Sequence, residues 1–161
     1  MWGVKATIKK SELVGKVHSS VYHQCQKRGY AAPVDVLMDI GVLTKQRYED
    51  WRYGKVDYLE RVCNCNLKQL SFIMKQIRAY SAKAGYKPSF YYYKRWGVKK
   101  KNGQGHKPVI PLRFSKSGNP EIERAYATHY VDAAKCEELK KNRAEAPVAH
   151  EWYTLSFNQS V

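Results

Sequence analysis

The chain has 161 residues and a formal net charge of +15, from 29 Lys or Arg against 14 Asp or Glu. A hydrophobic content of 43 % is enough for a core and excludes a wholly disordered basic tail, and the length suits one compact domain. No apolar run approaches the roughly 20 residues of a membrane span, and Met1-Trp2-Gly3-Val4-Lys5 is not followed by the apolar stretch of a secretion signal, so the expected location is the cytoplasm.

Residues 1–10 alternate apolar and basic, as an edge strand or arm would. From Ser11 the apolar positions Leu13, Val14, Val17, Val21, Tyr22 and Cys25 recur at three and four, one face of a helix that Lys27, Arg28 and Gly29 bring to an end. Pro33 opens a second helix with Asp35 in its first turn, and Gly41 stops it. Thr44 caps a third through Trp51, closed by Gly54. Val56, Leu59 and Val62 mark a short helical segment. Asn66 caps the clearest helix, Leu67–Ala84. There Leu67, Leu70, Ile73, Met74, Ile77 and Tyr80 fall within an arc of about 140° at 100° per residue.

Beyond Gly85, Lys87–Trp96 reads as a short helix or an irregular segment. The stretch 97–108 is Gly- and Lys-rich with almost nothing to bury, a flexible basic loop. Val109–Phe114 alternates as a strand, and Pro111 confines it to an edge. Asn119-Pro120-Glu121 starts another helix, carrying Ile122, Ala125, Tyr126 and Tyr130. Asp132–Asn142 extends it or forms a second one. Tyr153, Leu155 and Phe157 suit a last strand pairing with 109–114. The expected fold is therefore mainly α: one domain over 1–161, with a helical part 11–96, the basic loop 97–108 and a strand–helix–strand part 109–157. It carries a small two-stranded antiparallel β element near the C-terminus.

Cys25, Cys63, Cys65 and Cys136 lack the paired C-x-x-C spacing of a zinc ribbon. They read as free reduced thiols, with no metal and no cofactor expected.

The charge is concentrated. Arg61–Pro120 holds 14 Lys or Arg and no Asp or Glu, while the other 101 residues are close to neutral. Nine aromatics are interleaved with these cations. Cations without counter-ions neutralise phosphates and exposed rings stack on bases, so the expected partner is nucleic acid, DNA or RNA. The contact residues expected are Lys68, Lys75, Arg78, Lys83, Lys94, Arg95, Lys99, Lys100, Lys101, Lys107, Arg113 and Lys116. Phe72, Tyr91 and Tyr93 are candidate stacking rings. Phe72 falls on the cationic side of its helix, and within Tyr91–Trp96 either Tyr92 or Trp96 is expected inside, with Lys94 and Arg95 outside.

Two local patterns add to this. Ile40-Gly41-Val42, followed by Thr44–Tyr48 and Trp51–Gly54, resembles the helix-turn-helix of bacterial regulators. That resemblance implies base reading by Lys45, Gln46 and Arg47, against the plain alternative of a helical hairpin. Ser115-Lys116-Ser117-Gly118-Asn119 leads into a helix N-terminus, where free N–H groups attract a phosphate, unless it is simply a capped turn.

No residue is assigned a catalytic role. A metal-independent ribonuclease would draw on His129, sharing a helix with Arg124 and Tyr126, or on His106. The other alternative is a protein-interaction module docking its basic face on an acidic partner or a ribonucleoprotein.

Overall fold

The structure is a computed structural model and describes residues 9–145. It is mainly α-helical, with one small antiparallel sheet. Helix α1 (Lys10–Arg28) buries Leu13, Val17, Val21 and Cys25 of the face read from the sequence, while Tyr22, expected on it, stays exposed. Helix α2 (Pro33–Asp39) begins on Pro33, whose missing N–H costs nothing at that position. It ends in a full Schellman turn: Gly41 N donates to Met38 O, Val42 N donates to Leu37 O, and Gly41 takes φ +84°, a conformation that favours glycine. Helix α3 (Lys45–Arg52) is capped by the Thr44 hydroxyl, which accepts from Arg47 N. A 3-10 turn covers Leu59–Val62.

Helix α4 (Leu67–Lys83) starts on a complete capping box in which Asn66 and Gln69 exchange bonds with each other's backbone N–H. It packs on α1 through Leu70, Ile73 and Ile77, while Leu67, at the edge of the predicted arc, stays exposed. Strand β2 (Lys87–Phe90) follows, then a 3-10 turn at Lys101–Gly103, helix α5 (Pro120–Ala127), strand β3 (Thr128–Val131) and helix α6 (Ala133–Glu145). The sheet is completed by β1 (Tyr30–Ala31), in the order β1-β3-β2. Tyr30 pairs with Val131 and Lys87 with Val131 from the other side, so β3 is central.

The sheet is not the one expected. Residues 109–114 do not form a strand: Lys94 and Pro111 make an isolated bridge. Arg95 N donates to Ile110 O and Leu112 N to Tyr93 O on either side of it. Pro111 has no N–H to continue the ladder. The strand expected at 153–157 and residues 1–8 of the expected arm lie outside the described residues, while Lys10, placed in that arm, already opens α1. The helix expected to run from Pro120 through Tyr130 stops at Ala127, and Lys87–Phe90 is extended rather than helical. Among the described residues, no helix is long and apolar enough to cross a membrane.

Candidate nucleic-acid interface

On α4 the side opposite Leu70, Ile73 and Ile77 carries Lys68, Lys75, Arg78 and Lys83, all exposed. Lys94 and Arg95, which follow the buried Tyr93, are exposed. Arg95 is held against the α3 end: its Nε donates to Tyr53 O at 3.2 Å. It packs so closely on Gly54 (φ +75°) that a Cβ there would strike the guanidinium. Lys99, Lys100, Lys101, Lys107, Arg113 and Lys116 are exposed as well. Among the described residues, the ion pairs are Arg28–Asp35, Arg61–Asp57, Lys135–Glu138 and Lys140–Glu137. None of them involves any of the twelve cations expected at the interface.

Some of these cations share a groove and others do not. Lys75, Arg78 and Lys116 line a cavity of about 840 Å³ between α4 and α5, floored by Met74, Ile77 and Tyr126. Arg95 lines a second, of about 460 Å³, with Tyr53, Lys55 and Trp96. Arg47 lines a third, of about 350 Å³, with Lys55 and Arg61. Lys55 thus connects Arg47 to Arg95, a link no local pattern announces. Lys68, Lys83, Lys94 and the loop lysines line none of these three.

Three expectations about rings are corrected. Tyr93 is only 6 % exposed and cannot stack on a base. It packs on Trp51 and Phe114, at 5.7 and 5.3 Å between ring centroids. Phe72 is half-buried against the core, with Lys10 Nζ 5.5 Å from its ring, and is no free platform. Tyr92 and Trp96, one of which was expected inside, are 50 % and 36 % exposed. Tyr91 remains accessible at 45 %, but one face is taken by His129, stacked at 4.6 Å and 11°.

His129 is the middle of a column. Tyr30 stacks on it at 5.3 Å, and the Arg28 guanidinium lies 4.1 Å from the Tyr30 centroid. His129 Nε2 bonds to Tyr93 Oη at 3.0 Å. Burial, helped by Arg28 and opposed by Asp35, pushes the imidazole down from 6.5 to about 4, so it is neutral near pH 7. His129 does not share the expected helix with Arg124: Arg124 is on α5 and His129 on β3. The shift is also a stability statement. Between pH 6.5 and 4 the unfolded chain holds the proton that the folded one refuses. Stability should therefore fall as the pH drops through that window, by up to about 1.4 kcal/mol per pH unit from this group. Urea midpoints measured across the window should show the slope, and His129→Phe should flatten it.

The turn at Ser115–Asn119 offers less to a phosphate than its sequence suggests, because carboxylates of the chain already fill it. Glu123 accepts from Phe114 N (2.9 Å), Ser115 N (2.7 Å) and Ser115 Oγ (2.7 Å). Glu60 accepts from Lys116 N at 2.9 Å. Gly118 N and Asn119 N donate to Ser115 Oγ and Ser117 Oγ. Arg113 is likewise engaged, donating from Nε to Ser115 O and from Nη2 to Lys116 O. At the start of α3, Lys45, Gln46 and Arg47 are exposed, although Gln46 Nε2 donates to Asp50 Oδ1 at 3.1 Å.

Burial pushes the Cys63 thiol up to about 12, with Cys65 and Glu60 adding to it, so it stays protonated. Among the described residues no group of three or more His, Cys, Asp or Glu is placed to hold a metal ion. The chain matches no family model, no curated protein and no solved structure.

Proposed function

We propose that the protein binds nucleic acid, DNA or RNA, without catalysing a reaction on it, and does so in the cytoplasm. One observation carries the reading: twelve cations between residues 68 and 116 are exposed, and no described carboxylate pairs with any of them. An ordinary solvated surface mixes signs and spaces Glu against Lys along its helices. Leaving a block of this size without acids raises self-repulsion, which a phosphate polymer relieves by releasing its counter-ions. Tyr91, Tyr92 and Trp96 add accessible ring surface among the cations, which suits stacking on unpaired bases.

The test is a salt titration. With six to eight phosphates neutralised, log K on duplex DNA should fall against log salt with a slope of about −5 to −7. Changing Lys99, Lys100 and Lys101 together to Ala should make the slope shallower by about 2 to 3 for every sequence tried. Their exposure means the melting temperature should not move. A slope near zero for the unaltered protein would remove the reading in favour of an acidic protein partner.

A further inference from the structure

The groove of about 840 Å³ between α4 and α5 has a mainly apolar lining. Met74, Ile77 and the ring of Tyr126 make its floor. Leu67 on α4 and Ile122 on α5 line it too and stay exposed. A volume between about 300 and 1,000 Å³ suits a small-molecule site. Apolar side chains left in water on both walls are the surface that such a ligand would cover.

The polar groups of the groove fall into two sets. Lys75 and Arg78 lie one turn apart on one face of α4, and neither is ion-paired among the described residues. Tyr130 lines the groove beside them and is only 8 % exposed. Its hydroxyl has no hydrogen-bond partner among the described residues. The enclosed polar side-chain atoms without a partner are Arg52 Nε and Ser81 Oγ. The Tyr130 hydroxyl is not one of them, so it opens on the groove. Burial raises its pKa and the charge of Arg78 opposes the rise, so it remains an O–H donor near pH 7.

The acids of the groove are occupied or elsewhere. Glu60 accepts from Tyr126 Oη and from Lys116 N, both at 2.9 Å. Glu121 is in the first turn of α5, and Tyr130 lies beyond the other end of that helix, on β3. Two cations and a free hydroxyl thus gather away from both acids. From Arg78 back to Leu67 the groove follows α4 for about 16 Å at 1.5 Å per residue.

We propose that this groove binds a long-chain fatty acid: Arg78, Lys75 and the Tyr130 hydroxyl hold its carboxylate, and its acyl chain lies over Met74, Ile77 and Tyr126 toward Leu67 and Ile122. A guanidinium fork matches the two carboxylate oxygens. An acidic helix is the rival occupant, but a helix is about 10–12 Å across and would leave most of its width outside. The site needs no nucleic acid and would stand if the salt titration were flat.

The experiment uses the full chain and titrates dodecanoate by calorimetry, below the concentration at which it forms micelles, with melting followed without ligand. Dodecyltrimethylammonium carries the same tail with the opposite charge, and butyrate carries the same head with little tail. The unaltered protein should bind one dodecanoate per chain, more than about tenfold tighter than either of these. Lys75→Ala with Arg78→Ala should weaken dodecanoate about tenfold or more, without moving the melting temperature, because both side chains are exposed. Tyr130→Phe should weaken it about fivefold, also at unchanged melting temperature, because the hydroxyl has no bond to lose. Ile122→Asp should weaken it by placing a charge beside the tail. Lys141→Ala with Arg143→Ala, which removes the same charge from α6, should change nothing.

Absence of saturable dodecanoate binding would overturn the proposal. Equal binding of dodecyltrimethylammonium would do so by showing that the head is not read. An equal loss in the α6 double variant would reduce the effect to overall charge. Full binding by both the Lys75–Arg78 and the Tyr130 variants would remove the site. Where dodecanoate fails, binding of an acidic amphipathic peptide would give the groove to a protein partner instead.

Discussion

Trp51→Ala should cost about 3–5 kcal/mol of folding free energy, the usual range for truncating a buried aromatic to alanine, a large part of the roughly 5–15 kcal/mol a domain commonly has. Trp51 has no exposed surface and sits among Tyr48, Tyr93 and Phe114, with ring centroids 6.0, 5.7 and 5.1 Å away. Its side chain links α3 to the 110–115 segment and to the residues that precede Lys94 and Arg95. Its Nε1 also donates to Arg113 O at 2.8 Å. Alanine would leave a cavity between three rings and remove that donor. Trp51→Phe should cost less, because a ring remains and Arg113 O keeps the bond from Leu59 N at 3.2 Å. Urea unfolding should show the midpoint moving down at unchanged m-value. A change under about 1 kcal/mol for alanine would contradict the packing described.

Glu123→Ala should be nearly as damaging, at about 3–5 kcal/mol, although Glu123 lies on a helix and looks like an ordinary first-turn acid. Its carboxylate accepts three bonds, two from backbone N–H groups and one from a hydroxyl. The donors belong to Phe114 and Ser115, both buried. Bonds to a charged acceptor contribute about 1.5–3 kcal/mol each, and a buried donor left without a partner costs about 1–3 kcal/mol. Glu123→Gln keeps an acceptor but turns an amide N–H₂ toward backbone donors, so it should recover only part of the loss. Hydrogen exchange at Phe114 and Ser115 separates this account from a general loosening. In the alanine variant these two amides should exchange faster than those of α1.

The elements that could be read from the sequence are those whose signals are local. Pro33, Thr44, the Asn66–Gln69 pair and Asn119-Pro120 each satisfy backbone donors, or dispense with one, within a few residues. They work the same way whatever surrounds them, and the face of α4 follows from its period. The sheet depends on distant partners. Thr128–Val131 follows α5 with no Gly or Pro between them, and apolar positions continue the helical spacing to Tyr130. What makes it a strand is the presence of β1 and β2 on either side. The choice of Tyr93 as the buried ring among Tyr91–Trp96 is made by Trp51 and Phe114, which lie far away in sequence.

The site divides along the same line. That the lysines of 68–116 are exposed followed from their charge. That the 115–119 turn is filled by Glu123 and Glu60, and that Arg52 lies buried among three rings, followed from tertiary contacts that no short motif encodes.

The order β1-β3-β2 has a consequence for how the chain is made. Its middle strand is the last of the three to leave the ribosome. Until Thr128–Val131 emerges, Tyr30–Ala31 and Lys87–Phe90 have nothing to bridge them, and the pairing of Tyr30 with Val131 spans a hundred residues. Loop closure on that scale is slow compared with helix formation. The nascent protein therefore carries assembled helices with an open seam, and a single late insertion seals it.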